Sequence, residues 1–106
     1  MSNNFIFLYI TFSSEQTAIS LAKKCLEEKI IACANIIPNT IAIYDWQNII
    51  QQNRETIAIF KTVKEKKNIA TDFIKKNHEY SCPCIALLDV EILNNDFSNW
   101  IRDSIK

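Results

Sequence analysis

The sequence contains no glycine at all, only two prolines and a single histidine. Each scarcity excludes something. Without glycine there is neither a phosphate-cradling Walker loop nor a dinucleotide fingerprint. Every backbone position with positive φ must fall to another residue, and Asn or Asp bears that strain best. One histidine, with no Ser–His spacing and no glycine for an oxyanion turn, leaves little for nucleophilic catalysis. Charge is also missing on balance: twelve Lys and Arg stand against twelve Asp and Glu. A dedicated nucleic-acid binder would carry a basic excess. No stretch approaches the ~20 apolar residues of a membrane span.

What remains is the composition of a globular chain, 48% hydrophobic and 23% charged over 106 residues. That length is expected to form one domain, residues 1–106, large enough to bury a core without disulfides. Residues 1–12 are briefly reminiscent of a targeting segment. The apolar run is short, no Lys or Arg precedes it, and no small-residue cleavage pattern follows, so no signal peptide is expected. The chain is then expected in the cytoplasm, with its four cysteines as reduced thiols.

Phe5–Phe12 is a continuous aromatic and β-branched run, which predicts a central strand. Ser13 and Gln16 have capping-box spacing. Ala18, Leu21, Ala22, Cys25 and Leu26 then recur at helical intervals, predicting an amphipathic helix that ends near Lys29. Residues 32–37 turn extended, Pro38 interrupts, and residues 40–46 resume as strand. Pro38 cannot donate to a ladder, so it predicts a bulge or an edge position in one bent strand. Gln47-Asn48 is a plausible two-residue turn. Residues 49–62 are the return strand.

Thr62 and Glu65 repeat the capping-box spacing ahead of a second helix, with apolar Ile69, Ala70, Phe73 and Ile74 and a basic opposite face of Lys64, Lys66, Lys67, Lys75 and Lys76. After the irregular 78–83 segment, residues 84–92 predict a fourth strand. Asn94, Asn95 and Asp96 offer caps for a short terminal helix carrying Phe97, Trp100, Ile101 and Ile105. The order is β-α-β-β-α-β-α: an α+β, ferredoxin-like βαββαβ fold with an antiparallel sheet, two helices on one face, and an extra C-terminal helix.

The central hairpin is too long for such a domain. Arms of about fifteen residues at ~3.3 Å each reach ~50 Å, whereas a chain this size has a radius of gyration near ~13 Å. The overhang carries Ile41, Ile43, Tyr44, Trp46, Ile49 and Ile50. An exposed apolar ribbon needs a cover, and further copies in a closed symmetric ring supply one most simply.

Five segments in order resemble the CutA family of divalent-cation tolerance proteins: Ala32-Cys33-Ala34-Asn35-Ile36-Ile37-Pro38, Ile43-Tyr44-Asp45-Trp46, Glu55 leading to Lys61-Thr62, His78-x-Tyr80-x-x-Pro83, and Trp100. The resemblance covers nearly the whole chain. It implies a ferredoxin-like subunit, a homotrimer assembled through the hairpins with Ile41, Ile43, Trp46 and Ile50 at the interface, and a non-enzymatic role in tolerance of copper and other divalent metals. It also implies clefts between subunits like those in which PII signalling proteins bind small effectors. Tyr44, Trp46, Glu55, Lys61 and Tyr80 are the residues placed there. The alternative function is accordingly a PII-like adaptor taking a small anionic effector.

The chain departs from the family pattern at Glu79, Cys84 and Asn48, where proline, an acidic residue and glycine are usual. In some relatives copper is assigned to a first-strand cysteine and paired histidines. Here those positions read Ile10 and Asn77-His78. The residues themselves suggest a different metal set, His78 with Cys82 and Cys84, since thiolates and imidazole suit Cu(I) or Zn(II) and residues i and i+2 of an extended chain point the same way. The competing reading of these cysteines is plain packing. The sequence fixes no cofactor, and copper or another divalent metal is the candidate ligand.

Overall fold

The computed structural model describes residues 4–106. Residues 1–3, the start of the segment weighed for targeting, lie outside the described residues.

Among the described residues, four strands form one antiparallel sheet in the order β2-β3-β1-β4, the ferredoxin-like arrangement. β1 is Phe5–Phe12, β2 Cys33–Trp46, β3 Ile49–Val63 and β4 Ile85–Val90. α1 is Glu15–Glu27, α2 Lys67–Asn77 and α3 Asn95–Ser104.

β1 alternates because the two faces of the sheet differ. Ile6, Leu8, Ile10 and Phe12 are buried, together with Ala58 and Phe60 of β3, beneath Ala18, Leu21, Ala22 and Cys25 of α1 and Ala70 and Ile74 of α2. Each fully buried side chain of this size contributes about 1.5–3 kcal/mol. The other face is covered only at one end, where Ile101 and Ile105 close over Phe5, Ala32 and Val63. α1 and α2 therefore share one face and α3 takes the other.

Helix starts differ from the spacing-based expectation. Ser14, not Ser13, caps α1, accepting from the Thr17 N–H at 3.2 Å. The Thr62–Glu65 pair forms no capping box. Thr62 is fully buried in β3, and its hydroxyl donates to the Ile30 carbonyl at 2.7 Å. A short 3-10 turn, Lys64–Lys66, intervenes, and α2 begins at Lys67 with no side-chain cap. Ile69, expected in the stripe of α2, is exposed. β4 is shorter than the expected 84–92. α3 is capped by Asn94, which accepts from the Asp96 N–H.

Among the described residues, four take positive φ: Lys29, Asn39, Gln47 and Asn48. Two are asparagines, as expected. Lys29 closes α1 in a Schellman arrangement, its N–H bonding the Leu26 carbonyl and the Ile30 N–H the Cys25 carbonyl. Gln47-Asn48 make the two-residue turn, with the Asp45 side chain accepting from the Asn48 N–H.

The β2–β3 register shifts between Ile37 and Thr40, at Pro38 and Asn39. Beyond this bulge the ribbon leaves the sheet. The molecule measures 46 × 26 × 22 Å with a radius of gyration of 14.7 Å, the long axis set by the hairpin. Pairing partners share a face, so Ile41, Ile43 and Ile50 lie on one side of the ribbon and Tyr44, Trp46 and Ile49 on the other. Both sides are apolar, and all six residues are exposed, Ile43 at 67% and Ile50 at 69%.

Candidate functional site

Where the ribbon leaves the sheet, it meets the loop between α2 and β4. Tyr44 and Trp46 of β2, Glu55 of β3, and Glu79, Tyr80, Ser81 and Cys82 of the loop surround a hollow of about 800 Å³. Tyr44 is fixed on the ribbon by the Asn53 amide, which donates to its hydroxyl at 2.6 Å. Burial raises the phenol pKa of Tyr80, and the nearby charges of Glu55 and Glu79 and the Tyr44 hydroxyl push it the same way. Tyr80 is therefore a hydrogen-bond donor in a hollow whose formal charges are acidic.

The loop is held by two neighbours in sequence. His78 stacks on Phe12, with ring centroids 4.6 Å apart. Its Nε2–H donates to the Thr11 carbonyl at 2.8 Å, and its Nδ1 accepts from the Tyr80 N–H at 2.9 Å. Glu79 reaches the opposite way, to the start of α1. Its carboxylate accepts from the Ser13 N–H at 2.7 Å, from the Ser13 hydroxyl, and from the Thr17 hydroxyl at 2.8 Å. Burial alone would raise the Glu79 pKa. The bonds from Ser13 and Thr17, with the neighbouring His78, outweigh it and hold the carboxyl below its ordinary value.

Of the five cleft residues named from the resemblance, four line this hollow: Tyr44, Trp46, Glu55 and Tyr80. Lys61 does not. Its ammonium lies 5.2 Å from the Phe7 ring centroid and 5.8 Å from that of Phe97, against α3, six residues and ~20 Å along β3 from Glu55. Cys33, its cross-strand partner, is half-buried. Burial raises the Cys33 thiol pKa and the Lys61 charge opposes the rise.

The metal set is not assembled. Among the described residues no group of three or more His, Cys, Asp or Glu is placed to hold an ion. The physical reason at His78 is that both ring nitrogens are already engaged. Cys82 and Cys84 are exposed free thiols, and only Cys82 borders the hollow. Cys25 is buried inside α1, where desolvation pushes its pKa up to about 12, so it is packing.

Glu79 escaped sequence reasoning. Its partners lie 66 and 62 residues away, and no local pattern marks a carboxylate that will cap a distant turn. The only signal was its place in the resemblance, where proline is usual.

No described helix is long and apolar enough to cross a membrane. The profile of the CutA1 divalent ion tolerance protein family matches residues 6–104. A divalent-cation tolerance protein CutA from Thermotoga maritima is 37% identical over 100 residues, spanning 94% of this chain and 98% of that one. The crystal structure of divalent ion tolerance protein CutA1 from Ehrlichia chaffeensis superposes with a TM-score of 0.94 at 34% identity, over 100% of this chain and 98% of that one. The periplasmic divalent cation tolerance protein CutA from Archaeoglobus fulgidus gives a TM-score of 0.90 at 34% identity, over 96% and 99%. With the ferredoxin-like sheet and the overlong hairpin in place, the chain belongs to the CutA family of divalent-cation tolerance proteins.

Proposed function

We propose that this chain works as a non-enzymatic homotrimer that supports tolerance of copper and other divalent cations, in a reducing, cytoplasmic setting. The observation that carries the assembly is the ribbon beyond Pro38. Ile41, Ile43 and Ile50 on one side and Tyr44, Trp46 and Ile49 on the other are exposed at once. A two-stranded ribbon apolar on both sides is marginal alone and invites association, and neighbouring copies in a closed ring cover both sides together. The cleft then forms where the Tyr44, Trp46, Glu55 and Tyr80 hollow meets the next copy, with a basic group such as Lys61 arriving from that copy.

Any metal contact uses the exposed Cys82 and Cys84 thiols or ligands from several copies. The adaptor reading, with an anionic effector, draws support from the lysines of α2. Glu55 and Glu79 oppose it in the hollow of a single chain.

Two measurements test the reading. Sedimentation equilibrium is expected to give three times the 12.3 kDa chain mass, and Ile43→Lys with Ile50→Lys is expected to lower it to one. In a bacterial host lacking its own CutA protein, the wild type is expected to restore growth on copper and the double variant to fail. A wild type that is monomeric at micromolar concentration, or that leaves copper sensitivity unchanged, defeats the proposal.

A further inference from the structure

The last helix carries two stripes. Phe97, Ile101 and Ile105 face the sheet. Asn95, Ser98, Asn99 and Arg102 recur at i, i+3, i+4 and i+7, which places them on a second face of the same helix. A polar helix face usually meets only water. This one instead borders a hollow of about 500 Å³, closed on its other side by Phe5 and the chain leaving β4, Glu91 to Leu93. That volume lies within the range of small-molecule sites.

The charges in this hollow are unspent. The Arg102 guanidinium lies 4.7 Å from the Phe5 ring centroid. Cation–ring contact holds the guanidinium while using none of its five N–H donors as conventional hydrogen bonds. The ion pairs among the described residues are Lys64 with Asp89 and Lys106 with Asp103. Neither Arg102 nor Glu91 takes part in one. Beside them, Leu93 is 85% exposed, the most of any large apolar side chain described, and Ile92 is half-buried against the core.

A planar cation held by an aromatic ring, an unpaired carboxylate and an uncovered aliphatic wall thus border one hollow. We infer that this hollow binds a small zwitterion with an apolar tail, of the α-amino acid class. The ligand carboxylate meets Arg102, its ammonium meets Glu91, and its side chain covers Leu93 and Ile92. The Asn99 amide supplies a further donor and acceptor at the same wall. A lone anion would leave Glu91 opposing it, and a lone cation would face Arg102, so a ligand with both charges satisfies the hollow best. The site lies apart from the hairpin and from the Tyr80 hollow, and is independent of any role in metal tolerance.

The test uses the full-length, uniformly 15N-labelled protein titrated with L-leucine, N-acetyl-L-leucine and L-leucinamide. L-leucine is expected to give saturable amide shifts centred on residues 90–102. The acetylated and amidated probes, each lacking one charge, are expected to bind at least roughly tenfold more weakly. Arg102→Gln, which keeps much of the stem, and Glu91→Gln are expected to weaken L-leucine to the same degree. Absence of saturable shifts, or L-leucine affinity unchanged by Arg102→Gln, overturns the inference. If Arg102→Gln fails to fold by circular dichroism, the decision passes to Glu91→Gln and the acetylated probe. Unchanged affinity in both of those overturns it equally.

Discussion

His78 lies almost flat on Phe12, with 19° between the ring planes, and from there bonds Thr11 on one side and Tyr80 on the other. One side chain therefore fastens the loop bearing Tyr80 to the end of β1. His78→Ala removes the stacking and both bonds. Aromatic contact is worth about 0.5–1.5 kcal/mol and each of the two hydrogen bonds about 1 kcal/mol, so a loss of about 3 kcal/mol is expected in urea unfolding. A metal-ligand role for His78 predicts something else, lower Cu(I) affinity with stability of the metal-free protein intact. Anaerobic Cu(I) titration of His78→Ala and Cys82→Ser, each beside the wild type, separates the two. His78→Ala is expected to match the wild type, because both of its ring nitrogens are engaged, and Cys82→Ser, which removes an exposed thiol, is expected to bind less tightly.

Glu79 ties the same loop to α1, and its pH dependence has a definite sign. Its folded pKa lies below the unfolded value, about 4.3 for a glutamate. The stabilisation is therefore present above that pH and is lost as pH falls through the lower folded value. Thermal unfolding followed from pH 7 to pH 3 should show the wild type losing more of its melting temperature below about pH 4.3 than Glu79→Gln does. Parallel curves would mean that the bonds to Ser13 and Thr17 contribute nothing in solution.

Local chemistry carried the sequence reading where backbone preference decides the structure. Phe5–Phe12 is a strand with the expected bounds because an unbroken β-branched and aromatic run admits little else. Pro38 produces the bulge because it lacks an N–H. Asn48 takes positive φ where the turn requires it. The misses occur where a distant partner claims a side chain. Thr62 has capping-box spacing to Glu65, yet its hydroxyl belongs to Ile30, thirty-two residues back. Ser13 resembles a cap, yet it serves Glu79. The Tyr80 hollow draws on β2, β3 and the 78–84 loop, and no spacing within a single segment encodes that meeting. Resemblance supplied four of its residues, and the fold sets Lys61 apart from them.

Lys29 ends α1 in the left-handed region with φ 57°, a place that glycine usually fills. A non-glycine residue there costs about 1–2 kcal/mol, and glycine returns about 0.5–1 kcal/mol of that as unfolded-chain entropy. Lys29 is exposed and makes no side-chain bond that would be lost. Lys29→Gly is therefore expected to stabilise the protein by about 0.5–1 kcal/mol, read as a higher urea midpoint at unchanged slope. A lower midpoint would show that the lysine stem covers apolar surface at the helix end.

Thr62 provides the sharpest test of a buried polar contact in the fold. It has no solvent exposure, and its hydroxyl gives the Ile30 carbonyl a partner at 2.7 Å. That carbonyl belongs to the short link between the end of α1 and β2, so the bond pins the link to β3. Thr62→Val keeps the shape and the β-branching and removes only the donor. If the bond holds the link, the carbonyl is left buried without that donor, at about 1–3 kcal/mol. Thr62→Ser keeps the donor and removes a methyl group, which costs about 1 kcal/mol. Urea unfolding should therefore rank wild type first, Ser second and Val last. The reverse order of the two variants would mean that packing, not the bond to Ile30, sets the importance of this position.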